Sequence, residues 1–199
     1  MCQAKLQKVI SALEEIVMQL KDLLQSPEFN FDDFYIAGGC IYSLWNDKEP
    51  KDYDVFCKNK RAVKFLKKYF ADKPWLCQIV TDNAITSGKF QFITRKGCVG
   101  NPDTQVGQFD FKHNMFYFNG KEVKCVSGWE FLDSDVLHFN THRPRDILNT
   151  IGRIMKFQDR GMRITQKEVN KILEFATRPS RIIKERRSLK RRIKYNSSY

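Results

Sequence analysis

The chain has 199 residues, a formal net charge of +12 and 42% hydrophobic residues. That length suits one core with a small appendage rather than two large domains, and the apolar content is enough to pack it. No apolar run reaches membrane-spanning length and the N-terminus lacks a signal-peptide pattern, so the chain reads as a soluble, cytoplasmic protein with no membrane partner. Cys2, Cys40, Cys57, Cys77, Cys98 and Cys125 show no C-x-x-C spacing, which argues against a zinc site or disulfide framework and for reduced core or boundary thiols.

In chain order, Leu6, Val9, Ile10, Leu13, Ile16, Val17, Leu20, Leu23 and Leu24 recur at helical spacing over residues 3–25, and Ser26-Pro27 ends the pattern. An amphipathic helix packed on the core is expected there. Phe34–Ala37 reads as a short apolar strand closed by Gly38-Gly39, followed by a short helix and a turn at Pro50. Residues 51–57 read as a strand, 60–70 as an amphipathic helix, and 75–81, 89–94 and 106–113 as further strands. Residues 115–118 and 121–126 form a hairpin about Asn119-Gly120, since Asn-Gly favours the two-residue turn that matches strand twist. The 129–140 stretch is ambiguous by periodicity.

Pro144 then opens a helix to about residue 160 with Gly161 as its C-cap, and Thr165 caps another through about residue 176. Residues 178–194 hold nine Lys/Arg against one Glu, interleaved with Ile182, Ile183, Leu189 and Ile193. Such a segment attracts polyanions by counterion release, or serves as a solvated last helix or tail.

The chemistry concentrates at Gly38-Gly39 and, thirteen residues after Gly39, Asp52-Tyr53-Asp54. Alternate residues of a strand share a face, which puts the two carboxylates roughly 7 Å apart along the chain. Carboxylates that close repel unless a divalent cation lies between them. The glycines let backbone approach something bulky and anionic, such as a triphosphate, at the start of the next helix. Together these features describe a metal-dependent phosphoryl- or nucleotidyl-transfer site.

The pattern resembles the DNA-polymerase-beta-type nucleotidyltransferase superfamily, whose signature is Gly-Gly/Ser, a spacer of this length, then Asp-x-Asp. Two later segments resemble the CCA-adding enzyme and poly(A) polymerase family. Phe109-Asp110-Phe111-Lys112-His113-Asn114-Met115 is similar to its Arg-Arg-Asp-Phe-Thr-x-Asn-Ala segment, and residues 143–157 are similar to its neck helix. Gln108-Phe109 replaces the arginine pair, Asn149 replaces a neck arginine, and no Glu-Asp-x-x-Arg base-selecting motif follows. The compact size and that missing motif resemble small virus-encoded members of the superfamily.

The resemblance implies an α+β fold: a small mixed or antiparallel nucleotidyltransferase sheet flanked by helices, with residues 1–142 catalytic and 143–199 a helical neck and basic segment. It implies Mg²⁺, with Mn²⁺ as a substitute, in a two-ion site held by Asp52 and Asp54 with Asp110 as third carboxylate. Asp110 has a second reading as a contact to the nucleotide sugar. Gly38, Gly39, His113, Asn114, Arg145, Arg153 and Lys156 are the candidate nucleotide-binding residues. The implied reaction transfers a nucleotide from an NTP, ATP included, to an acceptor hydroxyl. An RNA 3′ end, tRNA-like first, is the leading acceptor. Nucleotidylylation of a protein or small molecule and a catalytically dead RNA-binding module are the alternatives. His138 and His142 have i, i+4 spacing without an evident third ligand, and read as structural or substrate-facing.

Overall fold

The computed structural model describes residues 2–142 and 147–177. Arg145, the expected neck-helix start at Pro144 and the basic segment 178–194 lie outside the described residues. The chain divides into two compact units, Met1–Ser134 and Asp135–Tyr199. Among the described residues no helix is long and apolar enough to cross a membrane.

The first unit is built on a seven-stranded mixed sheet. Its strands are β1 (Phe34–Ala37), β2 (Tyr53–Cys57), β3 (Ile79–Val80), β4 (Ala84–Ser87), β5 (Phe90–Ile93), β6 (Phe116–Phe118) and β7 (Val123–Cys125), in the order β3-β4-β5-β2-β1-β6-β7. Only β2 and β5 pair in parallel; β1 is antiparallel to both its neighbours. All four β1 residues are buried, as expected of a strand covered on both faces. One face carries Phe34, Ile36, Val55, Phe92, Phe116 and Phe118. It packs under α1 (Cys2–Leu23), α2 (Gly39–Trp45) and α3 (Lys60–Asp72), which bury Val9, Leu13, Leu20, Trp45, Leu66 and Phe70. Each such large apolar side chain contributes about 1.5–3 kcal/mol when fully buried. The other face carries Tyr35, Ala37, Phe56 and Tyr117, packed with Val106, Met115 and the half-buried Phe109.

Three local expectations are corrected. Residues 106–113 are not a strand. Asn101 accepts the Thr104 amide at 3.2 Å and Pro102 fills the first helical position, so Pro102–Val106 winds into a short helix, α4. Asp110 then sits on a bend, and Lys112–Asn114 form a 3-10 turn. Residues 75–81 give only β3, because Pro74 starts a 3-10 turn over Pro74–Leu76, and β4, with its Ala-Ile-Thr-Ser sequence, pairs beside it. The 116–125 hairpin is two-residue, but shifted by one position: Asn119 donates to the Glu122 carbonyl at 3.2 Å, leaving Gly120-Lys121 as the loop. Gly120, at φ +101°, takes the first central position that only glycine fills easily.

In the second unit, α5 (Ile147–Gln158) ends where Gly161 at φ +86° turns the chain, and the Met162 amide bonds back to Phe157 at 3.0 Å. Thr165 accepts the Glu168 amide at 3.4 Å, capping α6 (Gln166–Thr177). The 129–140 stretch resolves into a 3-10 turn, Trp129–Leu132, followed by an extended run in which Val136 bridges Arg163. His138 and His142 are therefore not on a helix. His138 instead faces Glu168 at 3.5 Å. Burial pushes the Glu168 carboxyl up, but Lys171, the Phe139 amide and His138 together outweigh it and hold it below the usual range.

Cys40, Cys57, Cys77, Cys98 and Cys125 form no disulfide. Burial, with Asp33 adding to it, pushes the Cys57 thiol up to about 12. The unfolded chain loses that proton near pH 9 while the native one keeps it, so this part of stability is complete below pH 9 and declines towards pH 12. Urea unfolding at pH 7, 9, 10 and 11 will show a steepening loss above pH 9, at about 1.4 kcal/mol per pH unit for each such group. Cys57→Ala will reduce that slope while costing about 1 kcal/mol at neutral pH for the volume it removes.

Candidate active site

The site grows out of the pairing of β1 with β2. Ala37 stands opposite Asp54, so Gly38, one step beyond the end of β1, comes level with the start of β2. Gly38 has φ +94°, and a Cβ placed on it would stand 3.3 Å from Asp54 Oδ2 and 4.0 Å from Phe109 Cε2. The glycine hydrogen is therefore what lets the carboxylate approach the backbone, while the ring stands at ordinary contact distance. The Gly38 amide donates to the Phe116 carbonyl at 3.4 Å and its own carbonyl accepts from Ile41 at 3.3 Å. The turn from strand into α2 is thus anchored on β6 and closed by the first helical bond.

Asp54 is half-buried within β2, and Asp52, also half-buried, stands just before the strand begins. Both act on the same buried neighbour. Burial pushes the Cys40 thiol far above its ordinary value, and Asp54, then Asp52, push it further. Two carboxylates thus concentrate negative potential beside the first turn of α2, where a cation is favoured. The Cys40 thiol leans on the Ala37 carbonyl at 3.7 Å, sealing the base of this corner.

The remaining sequence candidates are placed as follows. Asp110 follows Phe109 on the bend, 4% exposed, so the carboxyl lies in the segment that passes Gly38 but not on a neighbouring strand. His113 is 1% exposed and edge-on to Tyr42 of α2 at 5.0 Å between ring centroids. Its ring is also stacked against Phe111 at 6.1 Å, so it is enclosed rather than open to solvent. Asn114 is half-buried, and its side-chain oxygen is buried without a hydrogen-bond partner among the described residues. Arg153 and Lys156 are exposed on α5 in the second unit. Among the described residues no group of three or more His, Cys, Asp and Glu side chains is arranged to hold a metal ion by itself.

Three residues of this corner were not singled out from the sequence. Phe109 stands in van der Waals reach of Gly38 and packs on Phe56 at 5.7 Å. It occupies the place where the resembling family carries an arginine, and that departure was the available signal. Cys40 is the second. The third is Gln91, the residue of β5 paired with Asp54, so the neighbouring strand offers an amide rather than an acid in line with it.

Gly38→Ala tests the corner. It forces a Cβ against Asp54 and strains a positive φ, and will cost about 1–3 kcal/mol in urea unfolding. It will also displace Asp54, so any thermal stabilisation by Mg²⁺ with NTP will be lost; an unchanged ligand response would show the glycine to be a turn residue only.

Comparison with solved structures shows a nucleotidyltransferase-like fold. A Thermotoga maritima CCA-adding enzyme complexed with tRNA superposes with a TM-score of 0.54 at 16% identity, over 85% of this chain and 44% of that one. A CCA-adding enzyme with CTP gives 0.52 at 15% identity, over 84% and 44% of the two chains. A complex of a tRNA-processing enzyme gives 0.51 at 15%, over 72% and 43%. The chain thus spans less than half the length of these structures. No curated protein matches the chain. A family model described as Gabija anti-defense 2 (Gad2) family protein matches residues 6–142.

Proposed function

The chain belongs to the Gabija anti-defense 2 family, and from that membership we propose that it counters the Gabija defence as an NTP-dependent nucleotidyltransferase. The observation that carries this reading is Gly38, whose missing Cβ leaves 3.3 Å to Asp54 Oδ2 at the point where β1 turns into α2. Without that approach the strand pair would be an ordinary antiparallel pair. The fold shared with CCA-adding enzymes gives the corner its precedent.

The residues fit Mg²⁺. Mg²⁺ prefers hard oxygen donors, and takes one or two carboxylates plus substrate phosphates rather than a cage made wholly of protein. Asp52 and Asp54 are such a pair, and the potential they impose on Cys40 is what a cation would relieve. When bound, Mg²⁺ neutralises triphosphate charge and makes the acceptor hydroxyl a better nucleophile. Asp110 is assigned as the third carboxylate, with the sugar contact as its alternative. Gly38 and Gly39 give the triphosphate room to lie against backbone. Phe109 supplies an apolar wall that keeps water from one side of the reacting phosphate. Asn114 is supported as a nucleotide contact by its buried amide oxygen, which a ligand hydroxyl or amine would satisfy. Arg145, Arg153 and Lys156 are assigned to phosphate contacts, and Mn²⁺ to substitution for Mg²⁺. The acceptor hydroxyl gives its proton to the Asp110 carboxylate, its oxygen forms a bond to the α-phosphorus as the bond to the bridging oxygen breaks, and pyrophosphate leaves with that electron pair.

An RNA 3′ end is the acceptor we favour. The net charge of +12 and the 178–194 segment suit a polyanion, and the solved neighbours include an enzyme complexed with tRNA. The family name favours a second acceptor, a protein of the Gabija system.

One experiment tests the function and separates the acceptors. The purified chain is incubated with each α-labelled NTP and Mg²⁺ or Mn²⁺, in parallel with total RNA and with purified Gabija proteins. Label on RNA supports the favoured acceptor, label on a Gabija protein supports the second, and label on neither with no NTP consumed overturns the enzyme reading. Asp54→Asn will cut transfer by about a thousandfold or more. It will leave the urea midpoint unchanged or raise it, because it removes a repelling charge.

A further inference from the structure

α3 carries five cations, Lys60, Arg61, Lys64, Lys67 and Lys68, all exposed. Only Arg61 is paired, to Asp33 at 2.7 Å. Among the described residues Lys60, Lys64, Lys67 and Lys68 have no carboxylate partner. At 3.6 residues per turn these four fall within roughly 100° of arc, on the side opposite the buried Ala62, Leu66, Tyr69 and Phe70. The arrangement works against the helix. Lys60 and Lys64, Lys64 and Lys67, and Lys64 and Lys68 are like charges at i, i+3 or i, i+4 spacing, and the first turn has no acid to complement the dipole. A solvated face that served only solubility would interleave signs, whereas on α3 the sole acid, Asp72, waits until the last turn.

Directly beyond α3, Trp75 is 75% exposed in the turn that Pro74 begins. Its place is fixed by the sheet. The Leu76 carbonyl accepts from Ser87 Oγ at 2.6 Å, Ser87 pairs with Phe90, and Phe90 pairs with Tyr53. Tyr53 is next to Asp52. Ser87 stands two strand spacings, roughly 10 Å, from Tyr53, and Trp75 therefore lies outside β4 at the sheet end that bears the carboxylates. An unpaired row of cations leading to an exposed indole is the combination that binds a single strand: phosphates follow the cations, and a base stacks on the ring.

We propose that the α3 lysines and Trp75 form a docking surface for single-stranded RNA, distinct from the 178–194 segment, with Lys60, Lys64, Lys67 and Lys68 along the phosphates and Trp75 stacking one unpaired base near the catalytic end. A duplex keeps its bases stacked internally and gives Trp75 nothing to hold. The use of this strand as the acceptor rests on the nucleotidyl-transfer reading; the binding does not.

The full chain is titrated into a fluorescein-labelled 12-nucleotide single-stranded RNA across a salt series, without NTP or divalent metal. Lys64→Gln/Lys67→Gln/Lys68→Gln will lower the slope of log affinity against log salt by about 2, at about 0.7 per phosphate contact. A charge-matched control, Lys21→Gln/Lys121→Gln/Lys167→Gln, will leave the slope close to wild type. Trp75→Ala will weaken binding roughly tenfold with the slope unchanged, as loss of one stacked base does. The substituted residues are all exposed, and unchanged urea midpoints will confirm the fold. If the α3 variant matches the control, or Trp75→Ala binds as wild type does, the surface is overturned. RNA bound through α3 but never extended would overturn RNA as the acceptor and leave the docking surface standing.

Discussion

A carboxylate pressed against a backbone that has no side chain to resist it sets the geometry of the first unit. Asp54 Oδ2 takes the space a Gly38 Cβ would need, and Gly38 accepts a positive φ to turn β1 into α2. Either residue alone is ordinary. Together they place a charged group at the junction of three elements, β1, β2 and α2, with Phe116 of β6 holding the Gly38 amide. The aromatic packing around the junction, with Tyr35 against Phe56 at 5.2 Å and Phe56 against Phe109 at 5.7 Å, keeps it rigid. A rigid frame is what a site working by position and charge requires.

The charges in this unit are sorted by place. Asp52 and Asp54 stand at one corner of the sheet, beside a thiol that burial and those acids both keep protonated. The cations stand on the outer side of α3 and run towards that same end of the sheet. On the proposed reading, the net charge of +12 draws polyanions to the surface while the negative corner takes a cation.

The Gly38 to Asp54 relationship was legible in the sequence because it is local. A strand, a glycine pair, a short helix and a returning strand fix one another's register over a couple of dozen residues. The long helices were legible for a similar reason: α1 and α6 follow their apolar periodicity and their terminators, Ser26-Pro27 and Thr165. The surroundings of Asp110 were not. The alternating pattern of 106–113 suggested a strand, but Asn101 and Pro102, just upstream, started a helix instead, and the residues after it were left on a bend. His113 read as a nucleotide contact because it closely follows Asp110; its burial against Tyr42 is a tertiary fact with no local signature. Gln91 and Cys40 were missed because their meaning depends on strand order and on the helix turn. The pairing of β5 beside β2 skips over α3, β3 and β4, and no periodicity reports it.

The same strand order bears on how the chain reaches this state. The β1–β2 pairing joins Ala37 to Asp54, 54 − 37 = 17 positions apart, whereas β2–β5 joins Tyr53 to Phe90, 37 apart, and β1–β6 joins Ile36 to Phe118, 82 apart. Loop-closure entropy rises with separation, so of the three pairings made by β1 and β2 this one is the least costly to close. It ends on Asp54 and closes the loop that holds Gly38, Gly39 and Asp52. The negative corner is therefore drawn together in the nascent chain before β5 and β6 are in place to flank it, and counterions from solution must screen it during that interval. Ionic strength, and divalent ions above all, thus enter the rate at which this sheet is assembled.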